Sequence, residues 1–272
     1  MSTFRIRHLY SGLTESIQSA LGRRDPFLPP RRLIDTIGGG DFKAVGQEFF
    51  RYFTELGNLK PTDRVLDIGC GCGRMAVPLI PFLSKDGGYW GFDIVRSGID
   101  WCQRNIAAKD PRFHFEWADV YNKAYNPEGT QPAGRYVFPY PDGFFDFVFL
   151  TSVFTHMLAQ DMENYLAEIS RVLKGDGRCL ISFFLLNAQS RELLRRGSSS
   201  IDFQYEVPNG ATSSLKAPEA AVAFDEAFIR DRFEANRLRL DEPIRYGSWC
   251  GRSDFLSYQD MTVSQKESTA RS

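Results

Sequence analysis

The chain has 272 residues and lacks any apolar run of about eighteen residues, the length that a membrane-spanning helix requires. It also lacks a strong charge of either sign, because 33 lysines and arginines oppose 34 aspartates and glutamates, for a formal net charge of −1. No overall field therefore attracts nucleic acid or an anionic membrane surface. We expect neither a membrane nor a nucleic acid among the partners of this protein.

Cysteine is scarce, and its spacing suggests no pairing. The five cysteines are an odd number, and no two of them are spaced as Cys-x-x-Cys. This usage is typical of a reducing compartment rather than of a disulfide framework. The start, MSTFRIRHLYSGLTESIQS, has no continuous apolar stretch and so does not resemble a secretory signal, while Glu15 argues against a transit peptide. We expect a cytoplasmic protein.

Residues 1–60 have the pattern of a helical cap. Apolar residues from Leu13 to Leu21 fall on one helical face, and DPFLPPRRL then interrupts the helix. Three consecutive glycines precede a second amphipathic segment, which runs from Phe42 to Leu56. This N-terminal part is expected to act as a cap or lid on a larger domain.

From residue 61 to residue 268, short apolar runs alternate with amphipathic segments. The runs are RVLDIG, GYWGFDI, FHFEWADV, FFDFVFLTSVF and GRCLISFFLL. Buried runs of this length between helices predict an α/β domain with a parallel sheet and helices on both faces. Two polar stretches, 120–143 and 187–223, are expected to be insertions on the substrate side. LRLDEPIRYGSW and SYQDMTVSQK predict a final antiparallel pair of strands.

A glycine-rich turn, GCGCG, follows the first apolar run. Gly69, Gly71 and Gly73 permit positive φ angles and leave room where a ligand approaches the end of the strand. The spacing is Gly-x-Gly-x-Gly, and Arg74 stands where the dinucleotide pattern Gly-x-Gly-x-x-Gly has its last glycine. The turn therefore disfavours a nicotinamide oxidoreductase.

Cys70 and Cys72 lie between these glycines and could form half of a metal site. Such a site needs two further ligands, and no histidine or cysteine follows at the spacing typical of metal sites. The alternative is that both thiols are small residues packed into a tight turn. We expect this packing role and no bound metal.

Acidic residues mark the ends of the first three predicted strands. Asp67 lies inside the first strand, where a carboxylate repels a pyrophosphate and suits a ligand that carries an amino group. Asp93 ends the second strand and can accept hydrogen bonds from both hydroxyls of a ribose. Asp119 ends the third and can accept from an exocyclic amine, with Ile94 and Val120 over the ring faces. A plain turn or N-cap role for Asp119 stays open.

Taken in order, VLDIGCGCGR, GFDI, WADV, FDFVFLTSVFTHM and LAEISRVLKGDGRCLISFF resemble the motifs of class I S-adenosylmethionine-dependent methyltransferases. The resemblance covers roughly residues 43–186, and KGDG departs from the Lys-Pro-Gly-Gly that the family often has. It implies a Rossmann-like, doubly wound sheet of seven strands, mostly parallel with one antiparallel strand. It also implies S-adenosylmethionine as the cofactor and a methyltransferase domain over residues 61–268.

The same resemblance implies a contact for each part of that cofactor. The glycine turn would line the methionine moiety, Asp67 would orient its amino group, and Asp93 would bind the ribose hydroxyls. Asp119 and the amide of Val120 would recognise adenine. Arg74 would either reach the methionine carboxylate or lie on the surface of the following helix. The complete set of expected cofactor-binding residues is Asp67, Gly69, Cys70, Gly71, Gly73, Arg74, Asp93, Ile94, Asp119, Val120 and Thr151.

His156, in TSVFTHM after the fourth strand, is the candidate catalytic base, because an imidazole titrates near neutral pH. A role in capping the next helix or in packing stays open. Thr151 is expected beside the cofactor rather than as a nucleophile, since no histidine–acid pair stands at a suitable spacing.

The acceptor is expected to be a small molecule. The loop over 120–143 carries five tyrosine or phenylalanine residues, which suit either a substrate wall or a surface loop pinned by its rings. Trp249 and Arg252 suit a sugar-like or anionic substrate, with structural roles equally open. A looser similarity to methyltransferases of glycan and secondary-metabolite enzymes indicates O-methylation of a hydroxyl compound. N-methylation of a small amine, or cofactor binding without turnover, are the alternatives.

Overall fold

The computed structural model describes residues 25–268, so the predicted helix from Leu13 to Leu21 lies outside the described residues. Within that range no helix is both long and apolar enough to cross a membrane. The strands, in chain order, are β1 (Arg64–Ile68), β2 (Gly88–Asp93), β3 (Phe113–Trp117), β4 (Phe145–Leu150), β5 (Leu173–Phe183), β6 (Leu185–Leu186), β7 (Tyr205–Val207), β8 (Gly210–Thr212), β9 (Val222–Asp225), β10 (Leu238–Leu240) and β11 (Asp260–Lys266).

Seven of these strands form one sheet, in the order β3-β2-β1-β4-β5-β11-β10. β1 to β5 pair in parallel, whereas β11 runs antiparallel to both of its neighbours. The predicted α/β fold with one antiparallel strand is therefore confirmed, and so is the final antiparallel pair, β10 with β11. The helices are α1 (Arg31–Thr36), α2 (Phe42–Glu55), α3 (Ala76–Leu79), α4 (Arg96–Cys102), α5 (Ala159–Val172), α6 (Ala188–Arg195) and α7 (Glu226–Ala235).

The sheet is buried on both faces, which explains why its strands have continuous apolar runs. In β1, Leu66 and Ile68 enter the core on one face, and Val65 enters the core on the other. Asp67 is the polar exception in this strand and is also buried. A buried carboxylate in a central strand requires a specific partner, and this requirement singles out the edge where β1 ends.

Helix α2 lies close to the glycine turn after β1. The Asp41 side chain caps its first turn by accepting hydrogen bonds from the backbone amides of Lys43 and Ala44, at 3.1 and 3.0 Å. The approach is tight, because a Cβ atom on Gly46 would lie 2.7 Å from the carbonyl oxygen of Arg74. The part of the predicted N-terminal cap that the structure describes thus packs directly on the turn.

The predicted insertion over 187–223 has its own regular structure. It contains α6, β7, β8 and a 3₁₀ turn at Pro218–Ala220. β7 and β8 belong to a second sheet, in the order β6-β9-β8-β7. These strands are only a few residues long, so their alternation of apolar and polar residues is too brief to stand out in the sequence. A separate cluster that includes Phe184 and Phe203 packs beside this sheet.

Asp260, at the start of β11, is the centre of a buried polar network. Its carboxylate accepts from the amides of Leu185 and Gly247 and from the indole of Trp249, each at 2.7 Å. The guanidinium of Arg252 lies 3.1 Å away, and the two side chains are only 2% and 0% exposed. Trp249 and Arg252 therefore have structural roles, and neither lines the cavity described below.

Replacing Arg252 with methionine should lower the free energy of unfolding by about 3–5 kcal/mol, because the buried carboxylate loses its countercharge. Urea denaturation followed by circular dichroism measures the loss. The control is Arg239→Met on edge strand β10, where the side chain is exposed and the expected change is within about 0.5 kcal/mol. Equal losses in the two variants would contradict the structural role of Arg252.

Candidate functional site

A cavity of about 420 Å³ opens where β1, β2 and β4 end. Its wall combines these strand ends with α2, with the start of the loop after β3 and with residues 257–259 before β11. The carboxyl ends of parallel strands meet at one edge of a sheet, and ligands of open α/β sheets bind in the crevice there. The cavity is therefore the candidate ligand site.

Most of the residues predicted from the sequence lie in its wall, but Gly73 and Asp119 do not. Gly73 serves packing, since a Cβ atom there would lie 2.8 Å from Cδ1 of Ile106. The Asp119 carboxylate accepts hydrogen bonds from the amide and the hydroxyl of Thr130, at 3.2 and 2.5 Å. The predicted residues found in the wall are Asp67, Gly69, Cys70, Gly71, Arg74, Asp93, Ile94, Val120, Thr151 and His156.

The glycine turn has a backbone that side chains disfavour, with φ of +80° at Gly69 and +57° at Gly71. A Cβ atom on Gly69 would lie 2.3 Å from Cγ2 of Val153, and one on Gly71 would lie 2.8 Å from Cγ2 of Ile37. The missing side chains thus make room for neighbouring parts of the protein. The sequence alone indicated only that a ligand needs this space.

Asp67 lines the cavity, and its carboxyl group is only half satisfied by the described residues. Its Oδ2 accepts a 2.6 Å hydrogen bond from the hydroxyl of Tyr89, whereas its buried Oδ1 has no hydrogen-bond partner among residues 25–268. Burial raises the pKa of this carboxyl from the usual 3.8 to about 8; the hydrogen bond from Tyr89 lowers it and the charge of Asp93 raises it further. A ligand ammonium group would supply the missing donor and the missing countercharge.

Asp93 holds the glycine turn against the end of β2. Its Oδ2 accepts from the amide of Gly71 and its Oδ1 from the amide of Val95, both at 2.7 Å. Burial raises the pKa of the Asp93 carboxyl, and the hydrogen bonds from Val95 and Gly71 oppose the rise. Each carboxylate oxygen has a second lone pair, so both can still accept from ligand hydroxyls.

Arg74 is half-buried rather than a free surface residue. Its guanidinium donates to the carbonyl oxygen of Gly39 and lies 5.8 Å from the ring centre of Phe42. It therefore ties the glycine run before α2 to the turn after β1. A contact between Arg74 and a ligand carboxylate stays a prediction, as does the proposed recognition of adenine by Asp119.

The cysteines of the turn are buried and neutral. Burial raises the pKa of Cys70 well above its ordinary value and that of Cys72 to about 11. A neutral thiol is a poor nucleophile and a poor metal ligand. Across the described part of the chain, no group of three or more histidine, cysteine or acidic side chains is arranged to hold a metal ion.

His156 lies in a 3₁₀ turn after β4, with Nδ1 3.0 Å from the carbonyl oxygen of Glu219. A carbonyl oxygen can only accept, so Nδ1 carries the proton, and Nε2 is the basic nitrogen of the neutral ring. The ring of Tyr125 stands edge-on, with 5.7 Å between ring centres. Leu158 is the N-cap of α5, and His156 makes no cap bond there. The helix-cap interpretation of His156 is therefore wrong.

The aromatic loop over 120–143 divides into two parts. Tyr121 and Tyr125 line the cavity and are exposed, whereas Tyr136 and Phe138 are buried in the core beside β2 and α5. The second half of the loop is therefore pinned by its rings, whereas a substrate contact for Tyr121 and Tyr125 stays a prediction. Sequence reasoning missed four polar residues of the wall, whose positions depend on contacts between distant segments: Glu48, Ser257, Tyr258 and Gln259.

The fold and the site define a ligand-binding α/β domain, and comparison with known proteins specifies its kind. Residues 65–177 match a family model described as a methyltransferase domain. The 27-O-demethylrifamycin SV methyltransferase of Amycolatopsis mediterranei (strain S699) is 28% identical over 137 residues, which are 47% of this chain. The match spans 41% of that relative. Residues 65–177 are thus similar to the methyltransferase domain family, in agreement with the resemblance that the sequence motifs indicated.

Two solved structures share the fold. The PH0226 protein of Pyrococcus horikoshii OT3 superposes with a TM-score of 0.58 at 15% identity, over 85% of this chain and 93% of that one. The 1,6-didemethyltoxoflavin-N1-methyltransferase of Burkholderia thailandensis, solved with bound S-adenosylhomocysteine, gives a TM-score of 0.53 at 17% identity. The overlap covers 98% of this chain and 91% of that enzyme. At this identity the likeness establishes the fold.

The raised pKa of Asp67 predicts proton release when S-adenosylhomocysteine binds. At pH 7 the carboxyl is mostly protonated, and a neighbouring ammonium would stabilise the ionised form, so about one proton should leave per ligand bound. The proton release should vanish at pH values above the pKa of Asp67. Calorimetry in two buffers of different ionisation enthalpy measures it. Asp67→Asn should bind more weakly and without proton release; unchanged release in this variant would assign the proton to another group.

The contact between His156 and Glu219 predicts an Nδ1-protonated ring. Long-range proton–nitrogen NMR spectra of labelled protein distinguish the two tautomers, and the signals of His156 are those lost in His156→Gln. Because the chain has only three histidines, this assignment is direct. A neutral ring protonated on Nε2 would contradict the observed hydrogen bond and would remove Nε2 as the basic nitrogen.

Proposed function

We propose that this protein transfers the methyl group of S-adenosylmethionine to a hydroxyl of a small, neutral acceptor molecule. The observation that carries the proposal is the shared wall of one cavity, which contains both Asp67, with its half-satisfied carboxyl group, and His156. The first suits the binding of an amino-acid-like cofactor. The second suits the removal of a proton from a hydroxyl.

The cavity offers a contact for each of three parts of the cofactor. Asp67 would bind the ammonium group through Oδ1, and Asp93 would accept hydrogen bonds from the ribose hydroxyls. Ile94 and Val120, both in the cavity wall, would cover the faces of the adenine ring. When bound, S-adenosylmethionine supplies a methyl group already activated by its positively charged sulfur, so the protein needs mainly to position and deprotonate the acceptor.

His156 would act as the base for the acceptor hydroxyl. The Glu219 carbonyl keeps the proton on Nδ1, so Nε2 would accept the proton of the acceptor hydroxyl during the transfer. The rings of Tyr121 and Tyr125 would limit the access of water on that side. Holding the two reacting groups together can contribute about 7–11 kcal/mol in ideal cases.

Two points favour oxygen over nitrogen as the acceptor atom. A hydroxyl needs a base at the moment of transfer, and His156 is a base with its tautomer fixed by the fold. The curated relative from Amycolatopsis mediterranei is named as an enzyme that methylates an oxygen. The toxoflavin enzyme, named as an N1-methyltransferase, has the same fold, so the fold by itself does not decide the acceptor atom.

The test uses S-adenosylmethionine with a labelled methyl group and a panel of small hydroxyl and amine compounds. We expect methylated hydroxyl products, and His156→Gln should lower kcat by ~10²–10⁴-fold, the usual contribution of a positioned base. The affinity for S-adenosylhomocysteine should stay unchanged. The control is His114→Gln, since His114 is exposed on β3 and does not line the cavity.

Three outcomes would contradict the proposal in different ways. Methylation of amines with full activity in His156→Gln would identify an N-methyltransferase. Binding of S-adenosylhomocysteine without product from any acceptor would indicate a binding protein without turnover. Failure to bind S-adenosylhomocysteine would remove the cofactor assignment itself.

A further inference from the structure

One part of the cavity wall is rich in polar groups that the cofactor assignment does not use. We call it the acceptor corner and define it as Glu48, Ser152, Ser257 and Gln259, all of which line the cavity. Glu48 comes from α2, Ser152 follows β4, and the other two precede β11. Three distant segments thus place hydrogen-bonding side chains together.

Two members of the acceptor corner are joined by a closed ring of hydrogen bonds. The amide of Ser152 donates to Oγ of Ser182 at 2.8 Å, and that hydroxyl donates to Oε1 of Gln259 at 2.6 Å. Nε2 of Gln259 then donates to Oγ of Ser152 at 2.8 Å. The order of donors fixes the orientation of the Gln259 amide. It leaves the hydroxyl proton of Ser152 and the second amide proton of Gln259 available to a ligand.

The backbone at Ser152 is strained. Its φ is +60°, a value that residues other than glycine rarely adopt, and it directly follows the central strand β4. Strain of this kind persists where the surrounding structure enforces it, and it is concentrated at functional sites. The bond to Ser182 provides that enforcement, because Ser182 is fully buried in β5.

Glu48 supplies the complementary acceptor. Its Oε1 accepts from the hydroxyls of Tyr52 and Ser257, at 2.9 and 2.8 Å. Its Oε2 has no hydrogen-bond partner among the described residues, so it can accept from a ligand hydroxyl. A carboxylate in this position also repels a ligand carboxylate or phosphate. The acceptor corner therefore offers two donors and one acceptor, and it disfavours anions.

Three tyrosines of the cavity wall are partly exposed to solvent. Tyr121, Tyr125 and Tyr258 line the cavity, yet their side chains are 48%, 39% and 45% exposed. Exposed aromatic rings that surround a cavity indicate a contact surface for a ligand with apolar faces. A ring with C–H groups on its faces and hydroxyls on its rim matches both the tyrosines and the polar corner.

We propose that the acceptor corner binds a neutral, polyhydroxylated ring of the sugar type. A hydroxyl of that ring donates to Oε2 of Glu48, and others accept from Gln259 and Ser152. This assignment rests on the proposed methyl transfer and specifies its acceptor. It also states what the site rejects, which is the same ring carrying a carboxylate.

The test compares three ring compounds by saturation-transfer NMR with protein saturated with S-adenosylhomocysteine, so it needs no turnover. The probes are methyl β-D-glucopyranoside, the matching glucuronide, and methoxytetrahydropyran, which has the ring without the hydroxyls. The glucoside should bind at least about fivefold more tightly than the glucuronide, because of Glu48. The affinity for the glucoside should also exceed that for methoxytetrahydropyran by a factor of about five, because only the glucoside has hydroxyls that form hydrogen bonds with the corner.

Variants assign the preference to the corner. In Glu48→Gln, the affinity for the glucuronide should rise to within about twofold of the affinity for the glucoside, because the substitution removes the charge and keeps the shape of the side chain. Gln259→Leu should weaken the binding of the glucoside at least about threefold, because the amide donor is lost. The control is Glu55→Gln, since Glu55 is exposed at the end of the same helix and does not line the cavity. Glu55→Gln should preserve the order of affinities for the three probes that the unmodified protein shows.

The outcomes separate this inference from the proposed function. Equal binding of all three probes, no binding of the glucoside, or a preference unchanged by Glu48→Gln would overturn the acceptor corner. The predicted order of probes together with absent methyl transfer to any compound would support the corner as a binding site and contradict the methyltransferase activity. Displacement of the glucoside by S-adenosylhomocysteine would overturn the corner as well, because the two sites would then overlap.

Discussion

The carboxylate of Asp93 makes the contact on which the geometry of the cavity depends. It accepts hydrogen bonds from the amides of Gly71 and Val95, both at 2.7 Å, and so joins the turn after β1 to the end of β2. The amides of Gly69 and Cys70 support the same junction, because both donate to the carbonyl oxygen of Phe92, at 2.9 and 3.1 Å. Asp93 also lines the cavity, so one side chain both holds the scaffold and forms part of the wall of the candidate site.

A second constraint follows from the burial of Asp67. A carboxyl group that is fully enclosed and only half satisfied is unfavourable for the folded protein. A cationic ligand would supply the missing hydrogen-bond donor and a countercharge to Asp67. Stability and binding are thus linked through one buried group.

Local sequence signals predicted the parts of the site that depend on strand ends. The glycine turn and the acids Asp67 and Asp93 belong to neighbouring parallel strands, so their proximity follows from the fold class alone. Asp119 also follows its strand as predicted, yet its carboxylate bonds to Thr130 eleven residues later. A strand-end pattern gives the position of a side chain, but the choice among nearby donors depends on the path of the loop.

The acceptor side of the cavity could not be predicted in this way. Glu48 lies in an amphipathic helix whose sequence resembles any other, and its role depends on meeting Ser257 about two hundred positions away. The positive φ of Ser152 has no signature either, because serine rarely adopts it. The short strands over 187–223 were missed for a related reason: their pairing partners are remote, and each strand is too brief for a pattern.

The bond between Glu219 and His156 has an uncommon property, because its acceptor is a main-chain oxygen. No exchange of the side chain at position 219 removes that oxygen, whereas a shortened or lengthened 187–223 segment would displace it. The tautomer of the imidazole therefore depends on the backbone path between β8 and β9 rather than on the side chain at position 219. An insertion or deletion in that segment would therefore change the hydrogen bond to the ring while every amino acid that touches it stays the same.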